Sequence, residues 1–178
     1  PATDAAPTIT ASTAPSTAPI TEPSAQPISA PNAGDSGNSS RVYKATFTEY
    51  SGCGANTTCA FTTSPGYSAA ISQFLYGGTS GKGPECGTCW KLTADTDSSE
   101  NAFGKTMAVM ISGECPAEGN PSCAQIDGSV NAQGGKVNFD LCSDSGSARV
   151  FFPNGGGLGI GTGEEVDCTE SQGSIQQV

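Results

Sequence analysis

Hydrophobic and polar positions along this chain change over short distances. Residues 42–48 alternate in part and are rich in aromatic and β-branched side chains, the signature of a half-buried strand. Segments 89–93, 105–112, 137–142, 148–152 and 164–168 carry the same signal. Segment 67–76 differs: its apolar residues at 70, 71, 74 and 75 form a stripe that suits a short helix. Six short strands divided by glycine-rich loops predict an all-β fold, a small barrel that closes its own sheet edges. The stretch 155–161, dense in glycine, is expected to be a flexible barrel rim and has no phosphate-loop ending.

The pattern stops at the N-terminal side. Residues 1–40 hold seven of the twelve prolines and thirteen Ser or Thr, with no aromatic, Cys, Lys or Arg. Such a segment cannot bury enough apolar surface to offset its ordering entropy. It reads as a disordered Ser/Thr/Pro-rich linker, of the kind that is often O-glycosylated. The folded domain is therefore expected over 41–178. Pro1 opens no signal-peptide pattern, so secretion is inferred from other features. No apolar run approaches ~18 residues, so no membrane span is expected.

All eight cysteines fall between Cys53 and Cys168. An even count in a loop-rich chain reads as a disulfide framework involving Cys53, Cys59, Cys86, Cys89, Cys115, Cys123, Cys142 and Cys168, with the pairing left open. Cys86-Gly87-Thr88-Cys89 has metal or redox spacing, but no second pair repeats it, and no metal is expected. Asn38 and Asn56 head N-glycosylation sequons in a secreted chain.

Charge and composition narrow the chemistry. With 17 acids against 7 bases the formal charge is -10, which disfavours nucleic acid and anionic membranes as partners. The chain has no histidine, which excludes Ser-His-Asp and Cys-His units and any His-containing zinc site. Acid–base work falls to carboxyls, phenols, amines, thiols or amides. Among the acids Asp140 stands out, because it lies inside the strand pattern Asn138-Phe139-Asp140-Leu141-Cys142. Alternation puts Phe139 and Leu141 on one face and Asn138, Asp140 and Cys142 on the other. An aspartate in a strand interior is disfavoured and needs a partner or a task.

That segment carries a resemblance. Together with Phe47-Thr48-Glu49-Tyr50-Ser51-Gly52-Cys53-Gly54, the 67–75 stretch, Cys86-Gly87-Thr88-Cys89, Cys115-Pro116-Ala117-Glu118-Gly119-Asn120, and Asn131 with Gly134, it resembles the glycoside hydrolase family 45 endoglucanases. The resemblance implies a six-stranded double-psi β-barrel with short helices and disulfide-stapled loops, shared with expansins. It implies a secreted, extracellular, monomeric endo-β-1,4-glucanase that inverts at the anomeric carbon without a cofactor. Its partner would be cellulose, mixed-linkage glucan or glucomannan. Most family members place a second acid on the first strand, and that acid is missing here. Glu49 lies on the face opposite Thr48 and Tyr50 and is expected at the surface. The pattern is instead similar to the basidiomycete-type subfamily, in which an asparagine is the base. On that resemblance Asp140 is the general acid, Asn120 is the base in its imidic form, and Asn131 relays protons between them. Asn138 stands where the subfamily often carries histidine.

Sugar faces stack on aromatic rings, so Tyr50, Tyr67, Trp90 and Phe103 are candidate substrate contacts, with Thr48 and Asn138 lining the same cleft. Trp90 fits the core equally well. Two other functions fit the same chain: a non-hydrolytic expansin- or loosenin-like wall-loosening protein, and a disulfide-rich effector or inhibitor.

Overall fold

The computed structural model describes residues 40–62, 66–78, 80–154 and 157–171. All of these lie within Asn38–Val178, one of two units into which the chain divides. The linker expected over 1–40, apart from Ser40, and the sequon at Asn38 lie outside the described residues.

Six strands close into a barrel in the order β1-β5-β2-β4-β3-β6. They are β1 Val42–Tyr50, β2 Ser68–Ser72, β3 Cys89–Asp97, β4 Ala102–Cys115, β5 Val137–Cys142 and β6 Gly159–Val166. β1 runs parallel to β5 and antiparallel to β6; β2 runs parallel to β4 and antiparallel to β5. Helices are short: α1 Gln73–Tyr76 and α2 Ser147–Phe151. The barrel axis is filled by Phe47, Trp90, Leu92, Ile111, Phe139, Leu141 and Phe151, each fully buried. Edge-to-face packing of Phe47 on Phe151, with centroids 5.1 Å apart, adds to the area buried.

Two expected elements change. The helix expected over 67–76 is half strand. Residues 68–72 are buried on both faces, paired to β4 and β5, so they show no strand period. Only Gln73–Tyr76 is helical. The strand expected over 148–152 is helix α2, and a tertiary contact sets it. The Ser147 hydroxyl shares its single proton between the carbonyls of Ser68 (2.8 Å) and Cys142 (2.9 Å), fixing the first residue of α2 against the barrel.

The glycine-rich stretch is a rim only in part, because Gly159 and Gly161 belong to β6. Glycine is required there by close approach: a Cβ on Gly161 would strike the Thr93 carbonyl oxygen, and one on Gly163 would sit 2.5 Å from the Phe139 ring. Phe139 is fully buried and cannot yield. Gly163→Ala should therefore cost about 1–3 kcal/mol through overpacking. A lowered urea midpoint at unchanged slope would register it.

Four disulfides join Cys53–Cys142, Cys59–Cys86, Cys89–Cys168 and Cys115–Cys123. Cys86 and Cys89 thus go to different partners, and their spacing is neither a redox nor a zinc motif. Asp144 lies beside the Cys53–Cys142 sulfurs, but both thiols are consumed in the bridge. Its Oδ2 accepts the Cys53 and Gly54 amides at 2.6 and 3.2 Å.

Candidate active site

The register of β1 on β5 sets Thr48 beside Asp140. Both face outward, because Phe47, Phe139 and Leu141 take the inward positions. The loop closed by Cys115–Cys123 folds over this outer face and brings Asn120 with it. Together Thr48, Glu49, Cys115, Gly119, Asn120, Ser122, Cys123 and Asp140 line a cleft of about 160 Å³.

Behind the cleft runs a continuous file of hydrogen bonds. Asn131 Nδ2 donates to Thr46 Oγ1 (2.7 Å) and to the Ser122 carbonyl (3.0 Å). The Thr46 hydroxyl donates to Asn138 Oδ1 (2.7 Å), and Asn138 Nδ2 donates to Thr48 Oγ1 (2.8 Å). The Thr48 hydroxyl in turn donates to Asp140 Oδ1 (2.7 Å). Each hydroxyl accepts once and donates once, so the file has one direction, from Asn131 to Asp140. Asn131 is held by its own loop: its Oδ1 accepts the amides of Gln133 and Gly135.

Asp140 keeps its other oxygen for the cleft. Oδ2 lies 3.7 Å from Cys115 Sγ, a disulfide sulfur with no proton to donate. Burial raises the Asp140 carboxyl above the usual aspartate range, the Thr48 hydroxyl pulls it back, and the Glu49 charge adds to the rise. Tyr50 packs beside it on Ala70, Cys115 and Cys123. Burial pushes the Tyr50 phenol up to about 12, so it stays neutral.

Glu49 needs a partial correction. It is exposed, as alternation requires, yet it also borders the cleft, within electrostatic reach of Asp140. Glu49→Gln should remove a like charge and let the Asp140 pKa fall. A carboxyl that deprotonates earlier would move any acid-dependent alkaline limb to lower pH. Titration of the Asp140 carboxyl carbon by NMR, wild type against variant, checks the sign.

The other expected contacts scatter. Trp90 is fully buried in the core, its indole N–H donating to Thr88 Oγ1 at 3.0 Å, so it offers no face to a sugar. Asn138 is also fully buried, beneath the turn Pro121–Cys123, and serves the hydrogen-bond file instead of touching ligand. Tyr67 packs half-buried against the core and is not among the cleft's lining residues. Phe103 lines a different cavity of about 370 Å³ with Asn101, Phe152 and Asn154. Asn56 is exposed and free to carry a glycan. Sequence reasoning misses Thr46, Ser122 and the wall formed by the Cys115–Cys123 sulfurs. Thr46 alone carries a signal, since it lies two residues before Thr48 on the same face of β1.

Known proteins resemble this chain in sequence and in fold. The Endoglucanase-5 of Hypocrea jecorina is 32% identical over an alignment of 133 positions that covers 64% of this chain and 53% of that protein. The chain thus spans about half the length of the curated relative it matches. Among solved structures, the barrel superposes on the GH45 endoglucanase EG27II in complex with cellobiose with a TM-score of 0.51 and 23% identity, covering 74% of this chain and 83% of that one. It superposes on the β-1,4-D-endoglucanase Cel45A of the blue mussel Mytilus edulis with a TM-score of 0.53 and 24% identity, covering 75% and 83%. These likenesses establish the fold as the barrel of the GH45 enzymes. The sequence itself goes further, for residues 45–173 match the model of the EXPB1-like domain 1. That span takes in all of β5 and its Asp140, and by it the chain belongs to the EXPB1-like domain 1 family.

Proposed function

We propose that this protein is a secreted, monomeric endo-β-1,4-glucanase that hydrolyses cellulose or a related β-glucan with inversion, and that it is of the asparagine-base type. Asp140 is the general acid and Asn120 the base. One observation carries this reading: a raised carboxyl with one oxygen free in a cleft it shares with Asn120, at the end of a directed hydrogen-bond file.

An inverting reaction needs a proton for the leaving oxygen and a base for the attacking water. Asp140 Oδ2 gives its proton to the glycosidic oxygen as the C1–O bond breaks. Water attacks C1 from the opposite side and yields its proton to the imidic nitrogen of Asn120, while the imidic O–H gives one proton up to solvent, so Asn120 ends as an ordinary amide with its proton count unchanged. Asp140 has lost one proton, and the proton released by Asn120 is the one that replaces it. The file can refill the acid: a proton entering at Asn131 Oδ1 displaces one from its Nδ2 and on through Thr46, Asn138 and Thr48 to Asp140 Oδ1, which leaves no group charged and turns the Asn131 and Asn138 amides into their imidic forms. Asn120 itself stands outside the file, with its Nδ2 on the Glu118 carbonyl at 3.2 Å. Its half-exposed position lets solvent carry the proton between Asn120 and the Ser122 end.

Incubation with soluble β-glucan should release reducing ends, with the α-anomer appearing first in the proton NMR spectrum. Absence of reducing ends at every pH from acid to neutral would overturn the hydrolytic reading. A β-anomer first would overturn inversion. A second reading is supported by the match to an expansin-type first domain: wall loosening on the same barrel without hydrolysis. Binding to cellulose with no sugar release is the result that selects it.

A further inference from the structure

The bridge between Cys115 and Cys123 sits in the cleft, where a purely structural staple has no need to be. Cys115 Sγ lies 3.7 Å from Asp140 Oδ2, and Cys123 Sγ accepts from Asn138 Nδ2 at 3.2 Å. The two sulfurs therefore touch both the carboxyl and the amide that feeds it. Both cysteines are at most 2% exposed and cluster with Ala70 and the flank of Tyr50, a patch without polar side-chain atoms apart from the phenol. Ala70 is the residue paired with Asp140 on β2. The bridge also closes the loop that presents Asn120, over a separation of only 8 residues. Gln73 on α1 supports this loop by accepting the Ala117 amide at 2.9 Å.

We propose that the Cys115–Cys123 disulfide is a positioning element of the site: it holds the Asn120 loop over the cleft and forms the dry wall against which Asp140 Oδ2 keeps its proton. The proposal rests on the reading of Asp140 as the acid. A disulfide suits both tasks, because it ties the loop covalently and presents weakly polar sulfur where a side chain with a hydroxyl or a water would solvate the carboxylate. Among the described residues, the titratable groups near Asp140 are Glu49 and Tyr50, both on β1. β2 presents Ala70. Glu114 on β4 and Glu118 on the loop are not among the residues lining the cleft.

The test compares the full chain with Cys115→Ser/Cys123→Ser and, as a control for losing a staple elsewhere, Cys53→Ala/Cys142→Ala. The readouts are the carboxyl-carbon titration of Asp140 and the pH profile of β-glucan hydrolysis. In the serine pair the Asp140 titration should move down toward an ordinary aspartate, the alkaline limb should follow it, and kcat should fall at least tenfold with KM less changed. The control should keep the wild-type Asp140 titration. Should the serine pair fail to fold, Cys115→Ala/Cys123→Ala admits water to the same wall and carries the same expectation. An unchanged Asp140 titration in either folded variant overturns the proposal. A wild type that releases no sugar, but whose Asp140 titration still moves in the serine pair, overturns the hydrolytic reading and keeps the wall.

Discussion

Asp140→Asn should abolish hydrolysis while leaving the barrel intact. An amide cannot give up a proton to the leaving oxygen, so the expected loss is the contribution of a general acid, about 10²–10⁴-fold in kcat. The fold has little reason to suffer, because the new amide oxygen would still accept the Thr48 hydroxyl that Asp140 Oδ1 accepts at 2.7 Å. The substitution also removes a carboxyl whose burial raises its pKa. Such a group holds its proton in the native state beyond the pH at which the unfolded chain has released it. The wild type therefore loses stability as pH rises from the unfolded-state value through the folded one. Asp140→Asn lacks that loss and should melt at or above the wild-type temperature at neutral pH. Reducing-end release and a thermal melt, measured on one preparation, check both halves. Full activity in the variant would remove Asp140 from the mechanism.

Arg41→Met should be the most damaging change far from the cleft. Arg41 grips Glu85 with two parallel bonds (2.7 and 3.0 Å), reaches Glu165 at 2.6 Å, and places its guanidinium 5.1 Å from the Trp90 ring centroid. The Glu85 side chain is only 8% exposed, so without Arg41 it keeps a buried charge and one hydroxyl, Thr88 Oγ1 at 3.1 Å. Stranding one member of a fully buried pair costs about 3–5 kcal/mol; Arg41 is 36% exposed, so water reaches this pair and the expected cost is about 2–3 kcal/mol, a fall of several degrees in a domain this size. Adding Glu85→Gln should recover part of the loss, since the stranded charge goes with it. Acid should narrow the gap. The Arg41 guanidinium holds Glu165 below the usual glutamate range, and a carboxyl of that kind stabilises above its unfolded pKa and stops doing so as pH falls through the folded one. Melting curves of both variants at neutral and acid pH measure the gap and its closure.

Periodicity locates what one-sided burial writes into a sequence. β5 is readable because Phe139 and Leu141 point into the core while Asn138 and Asp140 do not. β2 is not, because a strand buried on both faces has no polar side to mark it. α2 reads as a strand because Val150, Phe151 and Phe152 prefer strands, and the Ser147 bonds that override them come from segments distant in sequence. Asn138 reads as a ligand contact only if an outward face is equated with an open one; the turn Pro121–Cys123 covers it. Asp140 stands out from its strand alone and Asn120 only through the family resemblance, since its own motif reads as a turn; the file behind them joins Thr46, Thr48, Asn131 and Asn138 from three segments. No local pattern connects them.

The pairing of β1 with β5 and β6 has a consequence for how the molecule is made. During synthesis β1 emerges first and its two neighbours emerge last, with Thr48 and Asp140 separated by 92 positions. The β3–β4 hairpin and the Cys115–Cys123 loop can form early from nearby chain. The first strand must wait with both edges unpaired until β5 is out, and with one edge unpaired until β6 follows. Closure by such distant partners is slow, of the order of milliseconds to seconds, and exposes strand edges meanwhile. Because the Cys53–Cys142 and Cys89–Cys168 bridges span 89 and 79 residues, they can only seal a barrel already assembled. The nascent chain is thus most vulnerable to misassociation just before its last strand is delivered.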